Sequence, residues 1–176
     1  LDRAIEFLPD DDTIADRAAA NAGLTRPELA ILLSYSKIAL YNDLLASDLP
    51  DDPLLVEDLL RYFPERLRVP YKDYIAGHRL RREIITTVTT NSMVNRVGSA
   101  FVDSIREKTG QPAVDIARAY TISREAFNLR DRWAEIEALG GKAPADVQIG
   151  MLLEYGRLVE RATLWFLANA ARPLDI

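Results

Sequence analysis

Residues 74–101 read YIAGHRLRREIITTVTTNSMVNRVGSAF, and this stretch decides the fold class. It contains no proline, and its apolar and amide side chains recur at steps of three and four residues, which places them on one side of an α-helix. The residues at these steps are Leu80, Ile84, Val88, Asn91, Asn95, Gly98 and Val102. We predict a long central helix with this side facing inward. An unbonded buried amide costs about 1–3 kcal/mol, so Asn91 and Asn95 are expected to have specific partners.

The segments around this stretch also carry helical patterns and capping signals. Thr25 and Glu28 have the spacing of a capping box, with Pro27 in the first turn of the helix that follows. That helix is apolar around much of its circumference, so we predict that it is buried on several sides. Further helices are predicted at about 1–8, 13–22, 54–63, 101–109, 112–126, 128–139 and 144–171. Because no segment alternates like a strand, we predict an all-α fold, an orthogonal bundle of about seven to nine helices around the central helix.

The chain has 176 residues, enough for one domain with its own core. We predict a single helical domain over residues 1–176, with a joint at 64–70, where Pro64 and Pro70 bracket one turn. Gly98 and Ser99 predict a bend or break at the end of the central helix. The sequence begins at Leu1, already within a helical pattern, so we expect it to be a fragment of a much longer chain.

The composition restricts the classes of function. The net charge is −5, which argues against a general phosphate-binding surface and therefore against nucleic acid as a partner. No apolar run reaches the roughly 18–20 residues that cross a bilayer, so no membrane partner is expected. The chain has no cysteine and no secretory signal pattern. Since a lack of cysteine fits a reducing compartment, we expect a cytoplasmic protein.

His78 is the single histidine and the obvious acid–base candidate. With Arg79, Arg81 and Arg82 it could form an anion site, but arginines that pair with acids or bridge to another domain are the favoured interpretation. The sequence has neither a glycine-rich phosphate loop nor a catalytic-triad motif. One histidine without cysteine also argues against a metal site of that type. We therefore predict no catalytic, cofactor-binding or metal-binding residues in this chain.

The segment 109–133 has the outline of a DNA-binding helix-turn-helix motif, and it carries four arginines that could face phosphates. They are Arg118, Arg124, Arg130 and Arg132. Acidic residues such as Glu125 and Asp131 interleave with them, so a solvated charged face is favoured over a nucleic-acid interface. Trp133 and Trp165 are expected in the core, and exposure of an aromatic side chain on the last helix would indicate an interface.

Four stretches resemble the C-terminal part of the large bacterial NAD-specific glutamate dehydrogenases, and the resemblance extends over essentially the whole chain. The stretches are LTRPELAILLSYSKIALYNDLL (24–45), YFPERL (62–67), HRLRREIITTVTTNSMVNRVGSAF (78–101) and ERATLWFLANAARPLDI (160–176). The arginine-rich HRLRREI followed by NSMVNR is the most specific of these motifs. Where the family often has glycine followed by proline, this chain has Gly98 and Ser99.

The resemblance implies a non-catalytic C-terminal helical domain with a structural or assembly role, or with a role in transmitting regulation. The full-length parent would use NAD to deaminate L-glutamate oxidatively to 2-oxoglutarate and ammonia, a step of amino-acid catabolism. Expected partners are the catalytic core and other domains of the same chain, in a homo-oligomer of the full-length protein. We expect an inter-domain contact at His78, Arg79, Arg82, Asn91 and Asn95, because this arginine group is dense for a helix with no other partner. The alternative is a stand-alone helical interaction module.

Overall fold

The computed structural model describes residues 5–171 together with Leu174 and Ile176. All regular structure in this part of the chain is helical, which confirms the all-α prediction. The α-helices are α1 (Asp11–Ala19), α2 (Arg26–Leu45), α3 (Val56–Tyr62), α4 (Glu65–Arg68), α5 (Lys72–Ala76), α6 (Arg81–Val97), α7 (Phe101–Thr109), α8 (Ala113–Ala126), α9 (Leu129–Glu137) and α10 (Ala145–Asn169). Two 3-10 turns, Leu49–Asp51 and Pro53–Leu55, lie between α2 and α3.

The chain divides into two compact units at the bond between Ala39 and Leu40, which lies inside α2. The first unit contains α1 and most of α2. The second unit contains the remaining helices, and the segment 64–70 lies within it, at α4.

Capping interactions set the helix starts in the first unit. The Asp10 carboxylate accepts a hydrogen bond from the Thr13 backbone N–H at 2.8 Å and so caps α1. Glu28 accepts from the Thr25 backbone N–H at 2.6 Å and from Arg17 at 2.8 Å. These two contacts, the Thr25 bond first, lower the pKa of Glu28. Of the helix predicted at 1–8, residues 1–4 lie outside the described residues, and 5–8 form a turn and an irregular residue.

In the second unit, α6 packs against α3, α7, α8 and α10, which agrees with its predicted central position. The core between these helices is mainly aliphatic, with three aromatic side chains, Phe101 from α7, Tyr120 from α8 and Trp133 from α9. Its fully buried members include Leu44, Leu55, Leu59, Ile85, Met93, Ile105, Ile116, Tyr120, Leu129 and Val159. The helix α10 covers the other face of α8 and closes this core.

The predicted inward face of the central helix is wrong. The helix begins at Arg81 after the separate short helix α5, and Leu80 is 46% exposed. The buried side instead carries Ile85, Thr86, Thr89, Thr90, Met93 and Val94. Of these threonines, Thr86 donates its hydroxyl to the Arg82 carbonyl at 2.8 Å, whereas the buried hydroxyls of Thr89 and Thr90 have no hydrogen-bond partner among the described residues. Asn91 is half-buried and Asn95 exposed, so neither amide is in the core.

The prediction that α2 is buried on several sides is also wrong for this chain. Only Leu40 and Leu44, near its C-terminal end, are buried. Five large apolar side chains of α2 are 36–51% exposed, namely Leu29, Leu32, Leu33, Tyr35 and Ile38. The sequence identifies the apolar side chains of α2 correctly, but the described residues leave most of these side chains exposed.

The predicted break after the central helix is confirmed. Helix α6 ends at Val97, and Gly98 adopts φ 97°, a backbone conformation that L-residues with a side chain rarely adopt. Helix α7 ends at Gly110, which has the left-handed conformation that commonly terminates a helix. No helix among the described residues has the length and apolarity needed to span a bilayer.

Candidate functional site

A groove of about 690 Å³ lies between α3, α6 and α9, on the side of α6 that carries the two asparagines. Its lining is mostly polar and includes three arginines, one from each helix. The lining residues are Arg61, Tyr62, Thr87, Val88, Asn91, Ser92, Asn95, Arg96, Arg130, Trp133 and Glu137. We call this feature the arginine groove.

Trp133 and Arg96 form one wall of the arginine groove. The indole of Trp133 is buried, as predicted, and the guanidinium carbon of Arg96 lies 4.8 Å from the ring centroid. This is a cation–π contact, which holds the guanidinium against the ring. Arg96 Nη1 also donates to Glu137 Oε1 at 2.5 Å. Arg96 is therefore positioned by α9 while it projects from α6.

Behind the groove, a buried ion-pair network ties α3 to α8 and α9. Asp58 on α3 is fully buried and accepts from Arg124 Nη2 at 2.9 Å and from Arg130 Nη2. Glu125 accepts from Arg124 Nε at 2.7 Å and from Arg130 Nε at 3.3 Å. Arg124 is 1% exposed, and its Nη1 has no hydrogen-bond partner. Because Arg130 belongs both to this network and to the groove, the network fixes one groove guanidinium in place.

The Ser92 hydroxyl lies 2.7 Å from the Tyr120 hydroxyl, at the point where the groove meets the core. Burial raises the pKa of Tyr120, while the bond to Ser92 and the nearby arginines oppose that rise. Tyr120 is therefore neutral at physiological pH, and its hydroxyl serves as a hydrogen-bonding group.

Several hydrogen-bond donors in the groove are unused. The side-chain amides of Asn91 and Asn95 make no hydrogen bond to another described residue. The guanidinium of Arg61 has its nearest carboxylate, that of Glu57, at 3.9 Å, beyond hydrogen-bonding distance. The groove is therefore rich in N–H donors whose partner is solvent in this chain.

The five predicted contact residues occupy four places. Asn91 and Asn95 share the arginine groove, whereas Arg82 donates to the carbonyls of Leu45 at 2.9 Å and Ser47 at 2.8 Å. Arg82 also pairs with Asp51, so it fastens the loop after α2. Arg79 is exposed.

His78 lies in a small apolar hollow of about 200 Å³ rather than beside an arginine cluster. Its Nδ1 accepts from the Leu80 backbone N–H at 3.1 Å, and its ring meets Phe63 edge-on at 5.8 Å between centroids. The other lining residues of the hollow are Leu67, Tyr71, Tyr74 and Ile75. Since no acid in the part of the chain that the structure describes orients His78, the arrangement there gives it no acid–base partner.

The prediction of a solvated charged face along 109–133 is wrong for its arginines nearest the core. Arg118 pairs with Asp48 at 2.9 Å and Asp52 at 3.2 Å, and Arg124 is buried in the network with Asp58. Arg132 does lie at the surface, where it pairs with Glu135 at 3.1 Å. Arg118 and Arg124 therefore connect segments of the second unit, whereas Arg132 pairs along its own helix.

Trp165 on α10 was expected in the core but is 59% exposed. Its ring packs edge-on against Phe166, with 5.2 Å between centroids. Other apolar side chains of α10 are exposed too, namely Val147, Ile149, Met151 and Leu153. Among the residues that the structure describes, no group of three or more His, Cys, Asp or Glu side chains is arranged to hold a metal ion.

The all-helical fold and the absence of strands in the described part give the class: a helical domain with a polar groove and exposed apolar faces. Residues 21–176 match the family model described as glutamate dehydrogenase, C-terminal. This chain therefore belongs to the family of glutamate dehydrogenase C-terminal domains.

Curated relatives agree with this assignment. The chain is 45% identical over 167 residues to an NAD-specific glutamate dehydrogenase of Halomonas elongata, a match that covers 95% of this chain and 10% of the relative. It is 45% identical over 175 residues to that of Pseudomonas aeruginosa, covering 99% and 11%. The corresponding protein of Mycobacterium tuberculosis is 35% identical over 176 residues, covering 100% and 11%. The chain thus spans about a tenth of the length of these relatives.

Proposed function

We propose that this chain is a non-catalytic structural and assembly domain of an NAD-dependent glutamate dehydrogenase. The full-length parent deaminates L-glutamate oxidatively to 2-oxoglutarate and ammonia in the cytoplasm, as a step of amino-acid catabolism. NAD binds elsewhere in the parent, on residues that this chain does not include. The support is the family membership together with the small share of each relative that the chain spans.

The observation that carries the assembly role is the exposed apolar surface of α2, which extends around much of the helix. Leu29, Leu33 and Ile38 are each more than 40% exposed. Burying apolar surface is worth about 25 cal/mol per Å², so a surface of this kind favours association with another surface. Since most of the relatives' length lies outside this chain, we assign the covering surface to another region of the same parent.

The proposal also covers the inter-domain contact at His78, Arg79, Arg82, Asn91 and Asn95. Arg79 is exposed, and the hollow at His78 is bordered by the exposed rings of Tyr71 and Tyr74, so a partner could reach both. Exposed aromatic and arginine side chains are the types enriched at interfaces. We expect Arg82 to act indirectly, through the loop that it fastens, and the two asparagines to act through the arginine groove.

The test introduces charged side chains into the exposed apolar surface of α2. Leu33→Glu and Ile38→Glu are introduced together into the full-length parent, and oligomeric state and NAD-dependent glutamate oxidation are measured. We expect loss of assembly and a fall in activity, because two buried carboxylates without partners are costly. The same pair in the 176-residue chain should leave its thermal unfolding nearly unchanged, since both side chains are exposed there.

Lys142→Glu is the matched control, because Lys142 is exposed in the loop before α10 and lies outside α2. It makes the chain more negative by two charges, as the double variant does, without removing an apolar side chain. Unchanged assembly and kinetics in the double variant would contradict the proposal, as would activity of the 176-residue chain on its own.

A further inference from the structure

We propose that the arginine groove is a binding site for a carboxylate group. Three helices bring the guanidinium groups of Arg61, Arg96 and Arg130 to one recess, beside the amides of Asn91 and Asn95. With a free small molecule as the ligand, this inference does not depend on the proposed assembly role, whereas with an acidic side chain of the parent it rests on that role and deepens it.

The arginine groove has an excess of hydrogen-bond donors over acceptors. Asn91 and Asn95 are one helical turn apart on α6, so their amides lie on the same side and both line the groove. Neither has a partner among the described residues. Arg61 contributes a guanidinium with five N–H groups and no hydrogen-bonded acid within reach. A ligand that supplies oxygen acceptors satisfies these groups together.

Two of the three guanidinium groups in the groove are held in place before any ligand binds. Arg96 is held by the Trp133 ring at 4.8 Å and by Glu137 at 2.5 Å, and Arg130 is held by the buried Asp58. Side chains fixed in this way lose little conformational entropy when a ligand arrives. The planar fork of a guanidinium also matches the two oxygens of a carboxylate.

The charge balance of the arginine groove favours a carboxylate over a phosphate as the ligand. Arg96 and Arg130 already have carboxylate partners in Glu137, Asp58 and Glu125. Only Arg61 has its nearest acid, Glu57, at 3.9 Å, and both of those side chains are more than half exposed. Each carboxylate group of a ligand carries one charge and therefore matches one incompletely paired cation, whereas a phosphate concentrates more than one charge on a single group beside the Glu137 carboxylate of the lining.

The groove volume of about 690 Å³ fits a small organic acid. Ligand pockets commonly measure roughly 300–1,000 Å³. Tyr62, Val88 and Trp133 supply apolar wall for the carbon skeleton of such a ligand. The carboxylate can come from a free small molecule or from an acidic side chain elsewhere in the parent, and the two sources are separated below.

The first experiment is a titration of the ¹⁵N-labelled 176-residue chain followed by NMR. Sodium succinate is the probe, and sodium phosphate and sodium chloride are added at matched ionic strength. We expect saturable shifts of the Asn91 and Asn95 side-chain amides and of the Trp133 indole N–H. The Trp165 indole, exposed on α10, is the internal reference and should not shift.

Two variants remove the donors without disturbing the core. Asn91→Ala with Asn95→Ala, and separately Arg61→Gln, are each expected to weaken succinate binding about tenfold or more. Arg157→Gln is the matched control, because Arg157 is exposed and pairs only with Glu154 on its own helix. Shifts that do not saturate, that chloride reproduces, or that survive in both variants would overturn the proposal. Binding of phosphate in preference to succinate would overturn the assignment to a carboxylate.

The second experiment uses the full-length parent and identifies the source of the carboxylate. Thermal melting is recorded with and without succinate for the wild type and for the double asparagine variant. A smaller succinate-induced rise in the variant supports a free ligand in the groove. If succinate raises the melting temperature of the variant and of the wild type equally, but the variant without succinate melts at a lower temperature than the wild type, the carboxylate is an acidic side chain of the parent. Equal rises and equal melting temperatures would overturn the proposal.

Discussion

Asp58 on α3 accepts hydrogen bonds from Arg124 on α8 and Arg130 on α9, and its side chain has no exposed surface. Asp58→Ala would leave Arg124, at 1% exposure, as a buried cation with only the partly exposed Glu125 beside it. Removing one partner of a buried ion pair costs about 3–5 kcal/mol, because the other charge stays desolvated. We expect that loss in the free energy of unfolding measured by urea denaturation of the 176-residue chain.

The control for this prediction is Asp103→Ala. Asp103 pairs with Arg106 on the same helix at 3.3 Å, and both side chains are well exposed. Surface pairs of this kind contribute about 0–1 kcal/mol, so the control should shift the urea midpoint little. Equal effects of the two substitutions would show that the Asp58 network does not stabilise the fold as its burial implies.

The same residues show why the sequence predicted the candidate site only in part. Asn91 and Asn95 were identified as amides on one helix side, and both line the groove. Arg61, Arg130 and Trp133 were not connected with them, because they arrive on α3 and α9 and only tertiary packing brings them together. Asp58 gave no signal at all, since a carboxylate in the first turn of a helix is ordinarily a surface residue.

At the scale of elements, glycine positions separate helix ends from helix interiors. Gly98 terminates α6 at φ 97°, a conformation that costs a residue with a side chain about 1–3 kcal/mol. Gly150 lies inside α10, and a Cβ there would meet no atom within 4 Å. We expect Gly98→Ala to lower the free energy of unfolding by about 1–3 kcal/mol. Gly150→Ala should raise it by about 0.5–1 kcal/mol, because alanine favours the helix interior.

Thermal and urea unfolding of the two glycine variants checks this pair, and each serves as the control for the other. Destabilisation by Gly150→Ala would mean that the assigned interior of α10 is wrong. An unchanged stability in Gly98→Ala would mean that the assigned end of α6 is wrong. Many helix ends were predictable, because prolines, glycines and capping residues mark them locally, but the start of α6 at Arg81 was not.

Which face of a helix is buried was harder to predict than where the helix begins. In α6, two sides satisfy steps of three and four, one rich in aliphatic and amide side chains and one rich in threonines. Composition favoured the first, yet the second packs into the core. The hydroxyl of Thr86 bonds to a carbonyl of its own helix, and that local bond lowers the cost of burying a threonine. A hydropathy pattern does not include such bonds.

At the scale of the whole molecule, α2 shows the limit of inferring burial from one chain. An apolar circumference predicts that a helix is covered, but it does not say whether the covering surface belongs to the same segment. Here only Leu40 and Leu44, in the second unit, are buried. Under the proposed assembly role, the pattern of α2 reports burial in the parent rather than in these 176 residues.

The division of the chain at Ala39 leads to a prediction for the whole molecule. The second unit, residues 40–176, holds every hydrophobic side chain identified as buried among the described residues. We expect a chain of residues 40–176 to fold without the first unit, to unfold in one cooperative transition, and to melt within about 5 °C of the 176-residue chain. Differential scanning calorimetry and circular dichroism measure both quantities.

A truncation at the other end is the control. Residues 1–137 keep the first unit but lack α10, whose Val159, Ala162 and Leu167 are buried against the rest of the second unit. This chain should lose the cooperative transition, because α8 and α9 would expose core surface to water. If residues 40–176 failed to fold while residues 1–137 did, the core would depend on the first unit. The burial pattern argues against that dependence, since no large apolar side chain of residues 5–39 is buried.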